Sequence, residues 1–114
     1  MFDHVDLPVT DLAVSATFYR AALAPLGIEQ GHVSDASAEF GALSLVARPP
    51  RAPMHIAFIA ERREAVGEFH RTGLEAGGRD NGRPGLRDYA PDYFAAYLLD
   101  PDGHNIEAVH RSLK

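Results

Sequence analysis

Apolar and polar residues alternate near the start of the chain, and this pattern predicts a β-strand over residues 2–9. The apolar positions are Val5, Leu7 and Val9. His4 and Asp6 fall on the opposite face, because successive side chains of a strand point to opposite sides. One face of this strand is therefore suited to a hydrophobic core and the other to polar chemistry.

The apolar spacing then lengthens to four residues, which predicts an α-helix from about Leu12 to Leu23. Its apolar positions are Val14, Phe18 and Ala22. Asp11 is a favourable N-cap residue, and Pro25 followed by Gly27 ends the helix. Short strands are expected near residues 28–33, 36–41 and 43–48.

A proline-rich segment at residues 49–53 divides the chain almost in half. Its prolines make a stiff connector, so we predict one domain, 1–114, with module one at about 1–48 and module two at about 54–114. The elements expected in module two are a strand at 54–59, a helix at 63–76, a strand at 94–99 and a last strand that contains Glu107. Residues 79–93 are rich in glycine, proline and charge, and are predicted to form a long loop.

The second half of the chain repeats the first when the numbering is shifted by 51. The identical pairs are His4 and His55, Phe18 and Phe69, Arg20 and Arg71, Leu23 and Leu74, and Gly27 and Gly78. Both halves also read as a strand, a helix and then three strands. Two such copies in a short chain predict two modules that pack around a pseudo-twofold axis.

Composition and charge narrow the range of functions. The chain has 16 acidic and 11 basic residues, a net charge of −5 and no basic run, so a nucleic-acid partner is not expected. Cysteine is absent, so any metal must bind to histidine and carboxylate side chains. No apolar run approaches the roughly 20 residues of a membrane span, and the N-terminus lacks the features of a signal peptide. We therefore expect a cytoplasmic protein with no membrane partner.

Glu107 is unusual because it is a carboxylate between the apolar residues Ile106 and Ala108 of a predicted strand. A carboxylate there is costly to bury unless it is hydrogen-bonded, paired or bound to a metal. His4 and His55 are equivalent under the repeat. Two imidazoles and one carboxylate suit a divalent ion of iron, manganese, nickel, cobalt or zinc and leave coordination positions open. We therefore predict that His4, His55 and Glu107 are metal ligands.

The last strand of each module follows a glycine, and aligning Gly41 with Gly103 places Leu45 opposite Glu107. The other histidines are interpreted as structural or surface residues, and they are His32, His70, His104 and His110. Three tyrosines are interpreted as core or rim aromatics with the capacity to line a pocket, and they are Tyr89, Tyr93 and Tyr97.

Four segments of the chain carry a resemblance to a known family. They are residues 3–5 (Asp-His-Val), 15–19 (Ser-Ala-Thr-Phe-Tyr), 54–58 (Met-His-Ile-Ala-Phe) and 100–107 (Asp-Pro-Asp-Gly-His-Asn-Ile-Glu). In these segments the chain resembles the vicinal oxygen chelate superfamily, which includes glyoxalase I, extradiol dioxygenases, fosfomycin-resistance proteins and bleomycin-resistance proteins. The resemblance extends over essentially the whole chain, and the last segment is the most specific for the fold.

The resemblance implies an α+β fold of two βαβββ modules, related by a pseudo-twofold axis, whose strands form a curved mixed sheet around a cleft. It also implies a divalent metal held at the positions of His4, His55 and Glu107. Glyoxalase I has a fourth ligand, a carboxylate that acts as base, and Leu45 at that position argues against the same chemistry here. Family members often dimerise and sometimes build the site across the interface, so a homodimer is considered.

Two functions of different classes follow from these observations. The first is a metal-dependent enzyme of lyase, isomerase or dioxygenase type that acts on a small oxygen-rich substrate chelated to the metal. The alternative is a metal-free protein that sequesters a small molecule, as bleomycin-resistance proteins do. The intact ligand set favours the enzyme, and an antibiotic-modifying transferase is a third interpretation. Catalytic residues stay unassigned, with Tyr93 and Glu39 as candidates for a base.

Overall fold

Two βαβββ modules follow one another in the computed structural model, which describes residues 1–111. The elements of module one are β1 (Val5–Val9), α1 (Leu12–Leu23), a short 3-10 turn (Ala24–Leu26), β2 (Gln30–Val33), β3 (Ser37–Phe40) and β4 (Leu43–Ala47). Those of module two are β5 (His55–Ile59), α2 (Arg63–Glu75), β6 (Arg79–Arg87), β7 (Tyr93–Leu99) and β8 (Asn105–His110). Within the described range, neither helix combines the length and the apolar character needed to cross a lipid bilayer.

Each module forms its own four-stranded mixed sheet. The strand orders are β1-β4-β3-β2 in sheet one and β5-β8-β7-β6 in sheet two. β1 pairs with β4, and β5 with β8, in parallel, whereas the remaining pairs are antiparallel. The predicted α+β fold of two repeated modules is thereby confirmed. β1 and β5 are edge strands, so each keeps one edge unpaired within the described part of the chain.

The first helix buries a face that the four-residue spacing identifies only in part. Asp11 caps its N-terminus by accepting a hydrogen bond from the backbone N–H of Val14 at 3.1 Å. Phe18 and Ala22 are fully buried as predicted, but Val14 is 51% exposed. The other buried residues of α1 are Ser15, Ala16, Tyr19 and Leu23. A stripe that repeats every 3.6 residues drifts away from a strict spacing of four, which takes Val14 out of the core.

The two helices pack against each other, and they approach closely because α2 presents a glycine at the contact. The hydroxyl of Thr72 donates a hydrogen bond to the backbone oxygen of Ala21 at 2.7 Å. A Cβ atom at Gly73 would collide with the side chain of Leu98 and lie 3.4 Å from the ring of Phe18. The absence of a side chain at Gly73 therefore sets how tightly α2 packs on its neighbours.

We expect Gly73→Ala to lower the free energy of unfolding by about 1–3 kcal/mol, because the added methyl group overpacks this contact. Gly67 lies in the same helix, but no atom lies within 4 Å of its Cβ position. Gly67→Ala should therefore raise the free energy of unfolding by about 0.5–1 kcal/mol. Urea denaturation followed by circular dichroism measures both changes. Equal stability of the two variants would show that the helix contact accommodates a side chain.

The prediction of a long loop at residues 79–93 is wrong for its first part. β6 occupies Arg79–Arg87 and pairs with β7, although its register shifts on both sides of Gly82. β6 lies at the edge of sheet two and is paired on one side only, which is where a strand tolerates a proline such as Pro84. Because its pairing is irregular, this strand does not show the regular alternation of apolar and polar residues by which strands are predicted. The loop that connects β6 to β7 consists of residues 88–92 only.

Candidate functional site

Glu107 is a buried carboxylate of β8, with 2% of its surface exposed. Ile106 and Ala108 are fully buried on the side of α2, so alternation turns Glu107 to the opposite face, which we call the polar face of sheet two. Its Oε1 lies 2.8 Å from Nε2 of His55, and its Oε2 accepts a hydrogen bond from the hydroxyl of Tyr93. These two partners offset the cost of burying the carboxylate.

The separation of His55 and Glu107 fits two neighbouring ligands of one metal ion. Ligating nitrogen and oxygen atoms lie roughly 2.0–2.2 Å from such an ion, so two ligands at right angles are about 3 Å apart. The observed distance between Nε2 and Oε1 is 2.8 Å. The side chain of His55 is 53% exposed, which leaves this pair accessible from solvent. One imidazole and one carboxylate are also a donor set that divalent transition metals accept.

Three tyrosines surround this pair of residues. Tyr97 lies directly opposite Glu107 in the pairing of β7 with β8, and its ring centroid is 6.3 Å from that of His55. Tyr89, in the loop before β7, packs edge-on against Tyr93 with 5.1 Å between ring centroids. Tyr93 and Tyr97 therefore lie beside the candidate ligands, which agrees with the alternative that these tyrosines line a pocket.

Burial and hydrogen bonding raise the pKa of two of these tyrosines, Tyr93 and Tyr97, above its usual value. The pKa of Tyr93 is raised to about 12, first by burial and then by the hydrogen bond to Glu107. Burial also raises the pKa of Tyr97, followed by its hydrogen bond with Tyr89. The Tyr93 hydroxyl is therefore a hydrogen-bond donor to Glu107 at neutral pH.

Two arginines flank the tyrosines and give this part of sheet two a positive charge. The guanidinium carbon of Arg87 lies 5.3 Å from the ring centroid of Tyr97, and that of Arg111 lies 5.3 Å from the ring centroid of Tyr93. Arg87 also donates a hydrogen bond from Nη2 to the backbone oxygen of Arg83 at 2.7 Å. Cation–π contacts and this hydrogen bond hold the arginines near the polar face.

His4 precedes β1 and lies among carboxylates on module one. Its Nδ1 is 2.9 Å from Asp3 and its Nε2 is 3.5 Å from Asp6. The hydrogen bond with Asp3 is the largest cause that raises the pKa of His4, and the charge of Asp6 raises it further. Glu39 and Ser44 line a surface cavity of about 120 Å³ next to His4. The setting of His4 is therefore acidic, whereas arginines flank the pair of His55 and Glu107.

The chain by itself does not bring the three predicted ligands together. Among residues 1–111, no three His, Cys, Asp or Glu side chains are grouped so that they could hold a metal ion. His55 and Glu107 meet on sheet two, while His4 lies beside sheet one. Because α1 and α2 pack against each other and each sheet packs on its helix, the polar faces of the two sheets point away from the shared core.

Ser44, and not Leu45, is the residue of module one that corresponds to Glu107. Asp6 pairs with Ser44 in the first module, and Ala57, its equivalent in the repeat, pairs with Glu107 in the second. The prediction of Leu45 is wrong because the turn that precedes β4 is shorter than the turn that precedes β8, so the two glycines do not align. Leu45 is fully buried in the core.

Two buried side chains, His104 and Asp100, connect the turn before β8 to module one. We call these two residues the module clasp. Nδ1 of His104 accepts a hydrogen bond from the backbone N–H of Met54 at 2.9 Å, and Nε2 donates one to the backbone oxygen of Pro8 at 2.9 Å. Asp100 accepts a hydrogen bond from the hydroxyl of Tyr19 at 2.5 Å. These contacts agree with the interpretation of His104 as a structural residue.

Comparison with known proteins identifies the family of this chain. The sequence profile of the Glyoxalase/Bleomycin resistance protein/Dioxygenase superfamily matches residues 1–108. The chain belongs to this superfamily. A search of curated proteins gave no match.

Several solved structures are similar to this chain over nearly its whole length. A glyoxalase/bleomycin resistance protein from Albidiferax ferrireducens T118 is 34% identical with a TM-score of 0.81, over 97% of this chain and 98% of that chain. The fosfomycin resistance protein FosX from Listeria monocytogenes is 19% identical with a TM-score of 0.76, over 99% and 94% of the two chains. A lactoylglutathione lyase from Agrobacterium tumefaciens is 19% identical with a TM-score of 0.70, over 96% and 92%. At 19% identity, the last two show a common fold.

Proposed function

We propose that this protein is a metal-dependent enzyme that acts on a small oxygen-rich substrate chelated to a divalent metal ion. His55 and Glu107 of one subunit and His4 of the partner subunit would be the ligands, in a homodimer. The observation that carries the proposal is the buried carboxylate of Glu107, whose Oε1 lies 2.8 Å from an accessible imidazole. Membership of a superfamily whose fold is shared by a lactoylglutathione lyase adds support.

Three features of the chain support a second copy as the source of the missing ligand. β1 and β5 both have an unpaired edge, and such edges pair readily with another strand. An apolar groove of about 380 Å³ is lined by residues of both modules, including Phe2 and Ile59, which are 67% and 72% exposed. The acidic surroundings of His4 also complement the arginines beside His55 and Glu107, which favours contact between these two regions of different subunits.

The residues around the pair of His55 and Glu107 would bind and orient the substrate. A bound metal ion would act as a Lewis acid that stabilises negative charge on a substrate oxygen. Tyr97 would offer its ring as one wall beside the substrate, and Arg87 would attract an anionic group. The buried position of Glu107 excludes water from one side of the site.

We expect the metal-stripped protein to bind one divalent ion per chain, and His55→Ala and Glu107→Ala to lose that tight binding. Each change removes a ligand, and removal of Glu107 also leaves His55 without its partner. Isothermal titration with manganese, iron, cobalt, nickel and zinc salts measures stoichiometry and affinity. His32→Ala changes an exposed histidine of β2 that is not among the proposed ligands, so this control should bind as the wild type does. Unchanged metal binding by Glu107→Ala would contradict the assignment of Glu107 as a metal ligand.

A metal-free binding protein is the second candidate, and the three tyrosines around His55 are the observation that favours it. Aromatic rings that converge on one surface are suited to hold a planar or apolar ligand. Failure of the wild type to bind any of the five metals would favour this function. Tyrosine fluorescence would then serve in ligand screens, since the chain contains no tryptophan and three of its four tyrosines lie here.

A further inference from the structure

The two oxygens of the Glu107 carboxylate have different partners. Oε1 lies 2.8 Å from Nε2 of His55, and Oε2 accepts the hydrogen bond from the Tyr93 hydroxyl. If His55 and Glu107 held a metal ion together, Nε2 and Oε1 would both be its ligands. The hydrogen bond from Tyr93 to Oε2 would then be kept, since it uses the other carboxylate oxygen.

Two side chains contact the ring of Tyr93. The ring of Tyr89 packs edge-on against it at 5.1 Å, and the guanidinium carbon of Arg111 lies 5.3 Å from its centroid. Tyr93 is also the first residue of β7, and its backbone is paired with Arg87 of β6. A ring held in this way keeps its hydroxyl at Oε2.

We infer that Tyr93 is a positioning residue that occupies Oε2 of Glu107 and leaves Oε1 as the single oxygen available to a metal ion shared with His55. This inference rests on the proposed metal-dependent function. Carboxylates bind metal ions through one oxygen or through two. Restricting Glu107 to one oxygen keeps a coordination position free for a substrate oxygen, which a chelated substrate requires.

Tyr93→Phe tests the inference, with Tyr89→Phe as the matched control. Both changes remove one hydroxyl from the same cluster, but only the hydroxyl of Tyr93 bonds to Glu107. In Tyr93→Phe, Oε2 is free to join the metal and replace one bound water. The water-proton relaxivity of the Mn²⁺-loaded protein should therefore fall by the contribution of one water. It should not change in Tyr89→Phe, and circular dichroism checks that both variants are folded.

A second measurement uses the metal-free protein. The Nε2 resonance of His55, assigned by its loss in His55→Gln, reports the contact with Oε1. It should shift or broaden in Tyr93→Phe, because the carboxylate is no longer fixed, and stay unchanged in Tyr89→Phe. An unchanged His55 resonance in Tyr93→Phe would overturn the inference, and so would an unchanged relaxivity in Mn²⁺-loaded Tyr93→Phe. A wild type that binds none of the five metals, together with a resonance that depends on Tyr93, would overturn the proposed metal function and retain Tyr93 as the residue that positions Glu107.

Discussion

Hybrid dimers of His4→Ala and His55→Ala subunits are expected to regain the metal binding that each variant alone has lost. In the proposed homodimer, each site takes His4 from one subunit and the pair of His55 and Glu107 from the other. A hybrid dimer therefore has one site with all three ligands and one site with neither histidine. Random association makes half of the dimers hybrid, so about one quarter of all sites should bind metal tightly.

Co-expression of the two variants with different affinity tags, followed by capture on both tags, isolates the hybrid dimer. That preparation should bind about one metal ion per dimer, against two for the wild type. The control combines His55→Ala with Glu107→Ala. Both of those changes fall in the same half of the site, so every site of that hybrid lacks a ligand and none should bind. A His4→Ala and His55→Ala hybrid without bound metal would contradict a site shared between subunits.

The repeat explains why the fold class was predictable from the sequence. The opening strands and both helices follow from patterns that the two modules share, such as His4 with His55 and Gly27 with Gly78. Ile106 and Ala108, the apolar neighbours of Glu107 in the predicted last strand, are fully buried. These features are local, so the sequence carries them directly.

Features that depend on how elements meet were not predictable in the same way. The contact between Tyr93 and Glu107 follows from the register of β7 with β8, which no residue in the loop at 88–92 signals. Ser44, and not Leu45, corresponds to Glu107 because the turn before β8 is longer than the turn before β4. The separation of His4 from His55 depends on the packing of the two helices, where Gly73 permits a close approach that periodicity alone does not reveal.

The module clasp connects residues that are far apart in the chain. His104 bonds to Pro8, 96 positions away, and to Met54, 50 positions away. It therefore fixes the end of β1 and the start of β5 against the turn before β8. The backbone N–H of Met54 can only donate and the oxygen of Pro8 can only accept, so His104 must be the neutral tautomer with its proton on Nε2.

We expect His104→Ala to lower the free energy of unfolding by about 3–5 kcal/mol, because it leaves a cavity and deprives two backbone groups of their partners. Guanidinium denaturation followed by circular dichroism measures the change. His104→Gln should recover part of the loss, since an amide can accept and donate at once, and His32→Ala should lie within about 0.5 kcal/mol of the wild type because His32 is exposed. A His104→Ala variant as stable as His32→Ala would mean that the hydrogen bonds of His104 contribute no stability.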